Sequence, residues 1–105
     1  MNNGDRLDRA EKLKQRTKQF ALRVVRMFKA LPRGEEARIM GRQVLRSGTS
    51  IGANYRAACR SRTAKEFTSK IRIAVEEADE TGYWLELLVE ALAIRKAPRV
   101  VPAYG

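Results

Sequence analysis

Four carboxylates, Glu76, Glu77, Asp79 and Glu80, crowd into five consecutive positions, and Ser47, Ser50, Cys59, Ser61 and Ser69 offer hydroxyl and thiol groups. Clustered carboxylates are the raw material of metal sites and acid–base pairs, and hydroxyls and thiols are the raw material of nucleophiles. Each chemistry lacks its second half here. The chain contains no histidine, which removes the usual general base and the commonest metal ligand. Di-metal helix bundles draw on Glu-x-x-His pairs from facing helices, and this sequence has none. A single cysteine makes neither an internal disulfide nor a thiolate cage, so Cys59 reads as a small packing residue of a protein kept in a reducing compartment. Gly41, Gly48 and Gly52 stand at helical rather than loop spacing, so no glycine loop cradles a phosphate. These residues predict a protein that is not an enzyme, with no catalytic residue, no metal and no cofactor.

What remains is binding chemistry. The 105 residues carry 22 Lys+Arg against 12 Asp+Glu, a net charge of +10. The distribution says more than the total: residues 1–11 sum to −1, residues 12–72 to +14 and residues 73–105 to −3. An excess of this kind points to an anionic partner such as RNA or DNA. The candidate contacts are Lys14, Lys18, Arg23 and Arg26 in the first predicted helix, and Arg42, Arg46, Arg56 and Arg60 in the second. Arginine outnumbers lysine there, which suits bidentate contact with phosphate or carboxylate. Two readings are open. In one, the arginines line a nucleic-acid surface; in the other, some pair with the acids of the third helix, within the chain or across a subunit boundary. Six acids between Glu76 and Glu90 cannot neutralise seventeen bases in residues 12–72, so a cationic surplus stays exposed in any packing. Tyr55, Tyr83 and Trp84 could stack on bases, but they lie on or beside apolar seams and read as packing residues.

The elements that must position these groups are helices. Leu13, Thr17, Phe20, Val24, Met27 and Leu31 step by four and three, as do Ala37, Gly41, Val44, Gly48, Ile51, Tyr55 and Ala58, and again Phe67, Ile71, Ala74, Ala78, Thr81, Leu85, Leu88 and Leu92. Pro32-Arg33-Gly34 separates the first two seams, Thr63 and Glu66 form a capping box before the third, and Pro98 ends it. The spacing predicts one domain over 1–105, with helices at about 8–31, 35–60 and 64–95 and an irregular tail at 97–105. The fold class is all-α, an antiparallel up-and-down helical bundle. Three glycines inside the second helix, each costing about 1 kcal/mol relative to alanine, imply a close helix approach or a kink near Gly48, or else two short helices with a break there. No run of about 18 apolar residues is present to span a membrane, and the N-terminus lacks the apolar core of a secretion signal. The expected location is the cytoplasm, with no membrane partner.

The run Leu45-Arg46-Ser47-Gly48-Thr49-Ser50-Ile51-Gly52-Ala53-Asn54-Tyr55-Arg56-Ala57-Ala58, followed by Ser61, Lys65-Glu66-Phe67 and Glu76-Glu77-Ala78-Asp79-Glu80-Thr81-Gly82-Tyr83-Trp84-Leu85-Glu86-Leu87-Leu88, resembles the bacterial four-helix bundle family first found encoded in intervening sequences of 23S ribosomal RNA genes. The resemblance covers roughly residues 12–92 and includes the Arg-x-x-x-Ser-Ile-x-x-Asn pattern at Arg46, Ser50, Ile51 and Asn54. It implies structural roles for these residues and for Glu77 and Glu80. It also implies association into a homo-oligomeric ring, commonly a pentamer. Kinship with accessory proteins of diversity-generating retroelements implies nucleic-acid binding and a reverse transcriptase as partner. The sequence departs from the family pattern after Leu92: the fourth helix is expected to be missing or truncated, leaving three long helices. A self-assembling scaffold, in which Glu77 and Glu80 meet arginines such as Arg46 for subunit pairing, is the alternative to a nucleic-acid-binding accessory protein.

Overall fold

The computed structural model describes residues 3–92, which form three helices: α1 (Asn3–Ala30), α2 (Glu35–Cys59) and α3 (Ala64–Leu92). The chain is all-α and packs as a bundle. Helix α1 starts at Asn3, about a turn ahead of the expected residue 8. The apolar seam does not reach that far, but Arg6, Leu7, Ala10 and Glu11 are good helix formers and Asp5 sits favourably in the first turn. The helices end at Ala30 and Cys59, each one residue short of the expected limit. The stretch 93–95, the tail at 97–105 and the question of a fourth helix lie outside the described residues.

Local chemistry accounts for both turns. Gly34 has φ +143°, a conformation that L side chains rarely adopt, and its carbonyl accepts from the Arg38 N–H at 3.1 Å to open α2. At the second turn the Thr63 hydroxyl accepts from the Glu66 N–H at 3.0 Å, as the capping box requires. The Glu66 carboxylate reaches one residue beyond the box and accepts from the Arg62 N–H at 2.9 Å.

Helix α2 runs unbroken through Gly48-Thr49-Ser50, so the break does not occur, and the glycines serve close approach. A Cβ at Gly41 would lie 2.5 Å from Leu31 Cδ1, one at Gly48 would lie 3.1 Å from Val24 Cγ2, and one at Gly52 would lie 2.9 Å from Thr17 Oγ1. The partners descend along α1 as the glycines ascend along α2, which makes the pair antiparallel. Thr17, the polar interruption in the first seam, donates its hydroxyl to the Lys14 carbonyl at 3.0 Å, and its Oγ1 and Cβ both face Gly52.

The core lies where all three helices meet: Val24, Met40, Val44, Leu85 and Leu88, flanked by Phe20, Met27, Leu31, Leu45, Trp84, Leu87 and Leu92. Each fully buried aliphatic side chain contributes about 1.5–3 kcal/mol. The seams do not stay covered along their whole length, since Leu13 is 40% and Phe67 45% exposed. Both lie at the end that holds the α2–α3 turn. No described helix is long and apolar enough to cross a membrane.

Glycine chemistry gives a direct test. Gly52→Val forces a β-branched side chain against the stiff Thr17 and should lower stability by about 1–3 kcal/mol. Gly82, where an added Cβ meets nothing within 4 Å, should respond oppositely: Gly82→Ala gains up to about 1 kcal/mol from helix propensity. Urea denaturation midpoints of the two variants check both signs.

Candidate nucleic-acid interface

The arginines of α2 divide by what α3 places opposite them. Arg46 reaches across the α2–α3 seam: its Nη1 lies 3.4 Å from Glu77 Oε2, and its Nη2 is paired with Glu80 Oε1. Gln43 Oε1 accepts from the same guanidinium at 3.4 Å, and Trp84 Nε1–H donates to Glu80 Oε1 at 3.3 Å. The Glu77 side chain is only 17% exposed against 52% for Arg46, so the acid is the partner that would suffer from losing its counter-charge.

Directly beside this tie is a buried hydroxyl pair. Ser47 Oγ donates to the Gln43 carbonyl at 2.8 Å, and Thr81 shares its one proton between Ser47 Oγ at 2.8 Å and the Glu77 carbonyl at 2.7 Å. Both residues are fully buried, and no buried side-chain polar atom among the described residues lacks a partner. Ser50 and Asn54 form a local pair one turn on, with Asn54 Nδ2 donating to Ser50 Oγ at 3.1 Å and to its carbonyl at 3.0 Å. Ile51, between them, is half-buried. Arg46, Ser50, Asn54, Glu77 and Glu80 are therefore all engaged within the chain. Sequence reasoning missed Gln43, Ser47, Thr81 and Trp84 as parts of this tie. A signal existed for Thr81, a polar residue on an otherwise apolar seam.

The remaining candidates have no such counterparts. Arg23, Arg26, Arg42, Arg56 and Arg60 are exposed, as is Lys18. Among the described residues the cations in ion pairs are Lys12 with Asp8, Lys14 with Glu11, and Arg46. The two lysine pairs are within one helix and solvated, a kind worth a few tenths of a kcal/mol. Lys14 is half-buried and partly satisfied, which sets it apart from its neighbours. Residues 38, 42, 56 and 60 recur at intervals that return to one side of a 3.6-residue helix, so Arg38 and Arg42 near the start of α2 share a side with Arg56 and the C-cap Arg60 at its end, about 21 Å along the helix separating the two pairs. Arg42 and Arg60 are about 27 Å apart along it. The α1 candidates are divided: the glycine contacts set Arg23 and Arg26 level with the middle of α2, and Lys14 and Lys18 towards its end.

Among the described residues no group of three or more His, Cys, Asp or Glu side chains could hold a metal. Burial, with a contribution from the neighbouring Cys59, pushes the Tyr55 phenol up to about 12, so it is neutral at physiological pH. Tyr83 is largely exposed, its ring edge-on to Trp84 with centroids 5.2 Å apart; Trp84 is half-buried against the core. The division among the arginines predicts different responses to the same substitution. Arg46→Gln should cost about 1 kcal/mol, whereas Arg42→Gln should stay within about 0.5 kcal/mol of the parent, as read from thermal or chemical denaturation.

Most of the chain is similar to known proteins. The family model of the 23S rRNA-intervening sequence protein matches residues 9–98. No curated protein matches the chain. A solved structure from Bacteroides thetaiotaomicron, described as a protein with unknown function from the S23 ribosomal protein family, is 41% identical, with a TM-score of 0.76 over 83% of this chain and 78% of that one. On the family match and this likeness, the chain belongs to the 23S rRNA-intervening sequence protein family.

Proposed function

We propose that this protein is a non-enzymatic accessory protein that binds the phosphate backbone of nucleic acid without sequence preference and works as a homo-oligomer. One observation carries the reading: Arg23, Arg26, Arg42, Arg56 and Arg60 are exposed and have no ion-pair partner among the described residues. Concentrated cations repel one another, and condensed phosphates relieve that repulsion while releasing their own counterions. A planar guanidinium also matches two phosphate oxygens at once. The partner that retroelement kinship adds to this reading is a reverse transcriptase.

Self-association has its own support in apolar side chains left in water, among them Leu7, Ile39, Val75 and Tyr83, all more than 40% exposed. These also favour the second reading, a scaffold without a nucleic-acid role. That reading now has less to draw on from charge, because Glu77 and Glu80 already meet Arg46 of the same chain.

Salt separates the two. Affinity for a single-stranded RNA should fall with a log–log slope of about −3 or steeper, since each of several phosphate contacts contributes about 0.7. Fluorescence anisotropy across about 50–300 mM salt measures it. An oligomer of unchanged mass that binds neither RNA nor DNA at the lowest salt would leave the scaffold reading standing alone.

A further inference from the structure

The seam between α2 and α3 changes character along its length. In the middle, an α2 arginine is met by α3 carboxylates, Arg46 by Glu77 and Glu80. Towards the turn, the two helices enclose an open groove of about 600 Å³ whose lining includes Arg60, Ser61, Lys65, Ser69 and Lys70. There α3 presents lysines to an α2 arginine instead of carboxylates. The one acid in the lining, Glu66, is held by the Arg62 backbone N–H at 2.9 Å. A second concavity of about 520 Å³ adjoins the first, sharing Lys65 and Ser69 and adding Thr68 and Arg72.

The helix dipoles account for the cations on α2 and not for those that open α3. Arg56 and Arg60 sit at the C-terminal end of α2, where the helix dipole favours positive charge. Lys65 sits in the first turn of α3, where the dipole opposes it, and Arg62 lies two residues ahead of that helix. Among the described residues neither Lys65, Lys70 nor Arg72 has an ion-pair partner. Ser69 and Thr68 are exposed between them, with hydroxyls suited to phosphate oxygens.

We infer that the α2–α3 turn is a phosphodiester-binding groove, in which Arg60, Lys65, Lys70 and Arg72 hold the backbone of a single nucleic-acid strand, whose phosphates supply the counter-charge that Glu77 and Glu80 supply to Arg46. The inference rests on the nucleic-acid reading above and gives it a location. Neither concavity is lined by a large apolar side chain, and a membrane-binding site would need such anchors. Both are open and continuous through Lys65 and Ser69, which suits a passing strand rather than an enclosed small anion.

Anisotropy with a labelled 20-nucleotide RNA, using the full chain at about 50 mM salt, tests the location. The triple variant Arg60→Gln/Lys65→Gln/Lys70→Gln should bind at least tenfold more weakly, with a log–log salt slope shallower by about 2. Lys65→Arg/Lys70→Arg should bind as the parent does. Arg23→Gln/Arg26→Gln, on α1, should lose less than the groove variant. A groove variant that binds like the parent, while the α1 variant loses affinity, overturns the location and leaves nucleic-acid binding intact. A parent protein that binds no RNA overturns both. Equal retention of the protein on anionic phospholipid vesicles, lost in the same groove variant, overturns the assignment to nucleic acid in favour of a lipid headgroup.

Discussion

No Cα of α1 comes within 8 Å of a Cα of α3 among the described residues, so the close backbone approaches of the bundle are all made by α2, and α1 and α3 share only the side-chain core. That constraint divides the sides of α2 among three tasks. Towards α1 it offers Gly41, Gly48 and Gly52, whose missing side chains let Leu31, Val24 and Thr17 come into contact. Towards α3 it offers Ser47 and Arg46, and towards solvent it carries arginines. Glycine in a helix costs about 1 kcal/mol in propensity, and three are tolerated because the approach they permit buries Val24 completely beside Val44.

The two seams of α2 are held by different physics. The α1 seam is steric, with shape matched by absence. The α3 seam combines apolar packing with a polar tie, in which Arg46, Glu77, Glu80, Gln43 and Trp84 surround the buried Ser47–Thr81 contact. Polar groups at buried positions fix register, because a slip of one turn would leave hydroxyls and carboxylates without partners. The tie also fixes the charge balance. Glu77 and Glu80 are both committed to a single arginine, and the bases elsewhere on α2 and at the start of α3 keep their charge for something outside the chain.

Much of the bundle was legible in the sequence, and the reasons differ by feature. The turns were legible because their chemistry is local: Pro32 and Gly34 at one, Thr63 and Glu66 at the other. The role of the glycines was half legible, since spacing placed them on one face but could not say whether a helix or a break would exploit it. The upstream start of α1 escaped notice because periodicity marks buried faces, and the helix begins before its buried face does. Arg46 could be named as a partner for Glu77 and Glu80 from charge and family pattern, whereas Gln43, Ser47 and Trp84 joined it only through the register of two helices 31 to 34 residues apart in sequence. The groove at Lys65 and Lys70 is a concavity between helices, which the periodicity of any single helix cannot display.

The central claim is that the cations left unmatched within the chain form the surface that meets a polyanion. Backbone amide chemical shifts recorded during titration with a short single-stranded RNA test it most directly. The account predicts shifts concentrated along Arg42–Arg60 and Lys65–Arg72, with the acidic stretch from Glu76 to Glu90 unmoved. Shifts centred on Glu76–Glu90, or none at saturating RNA, would contradict it.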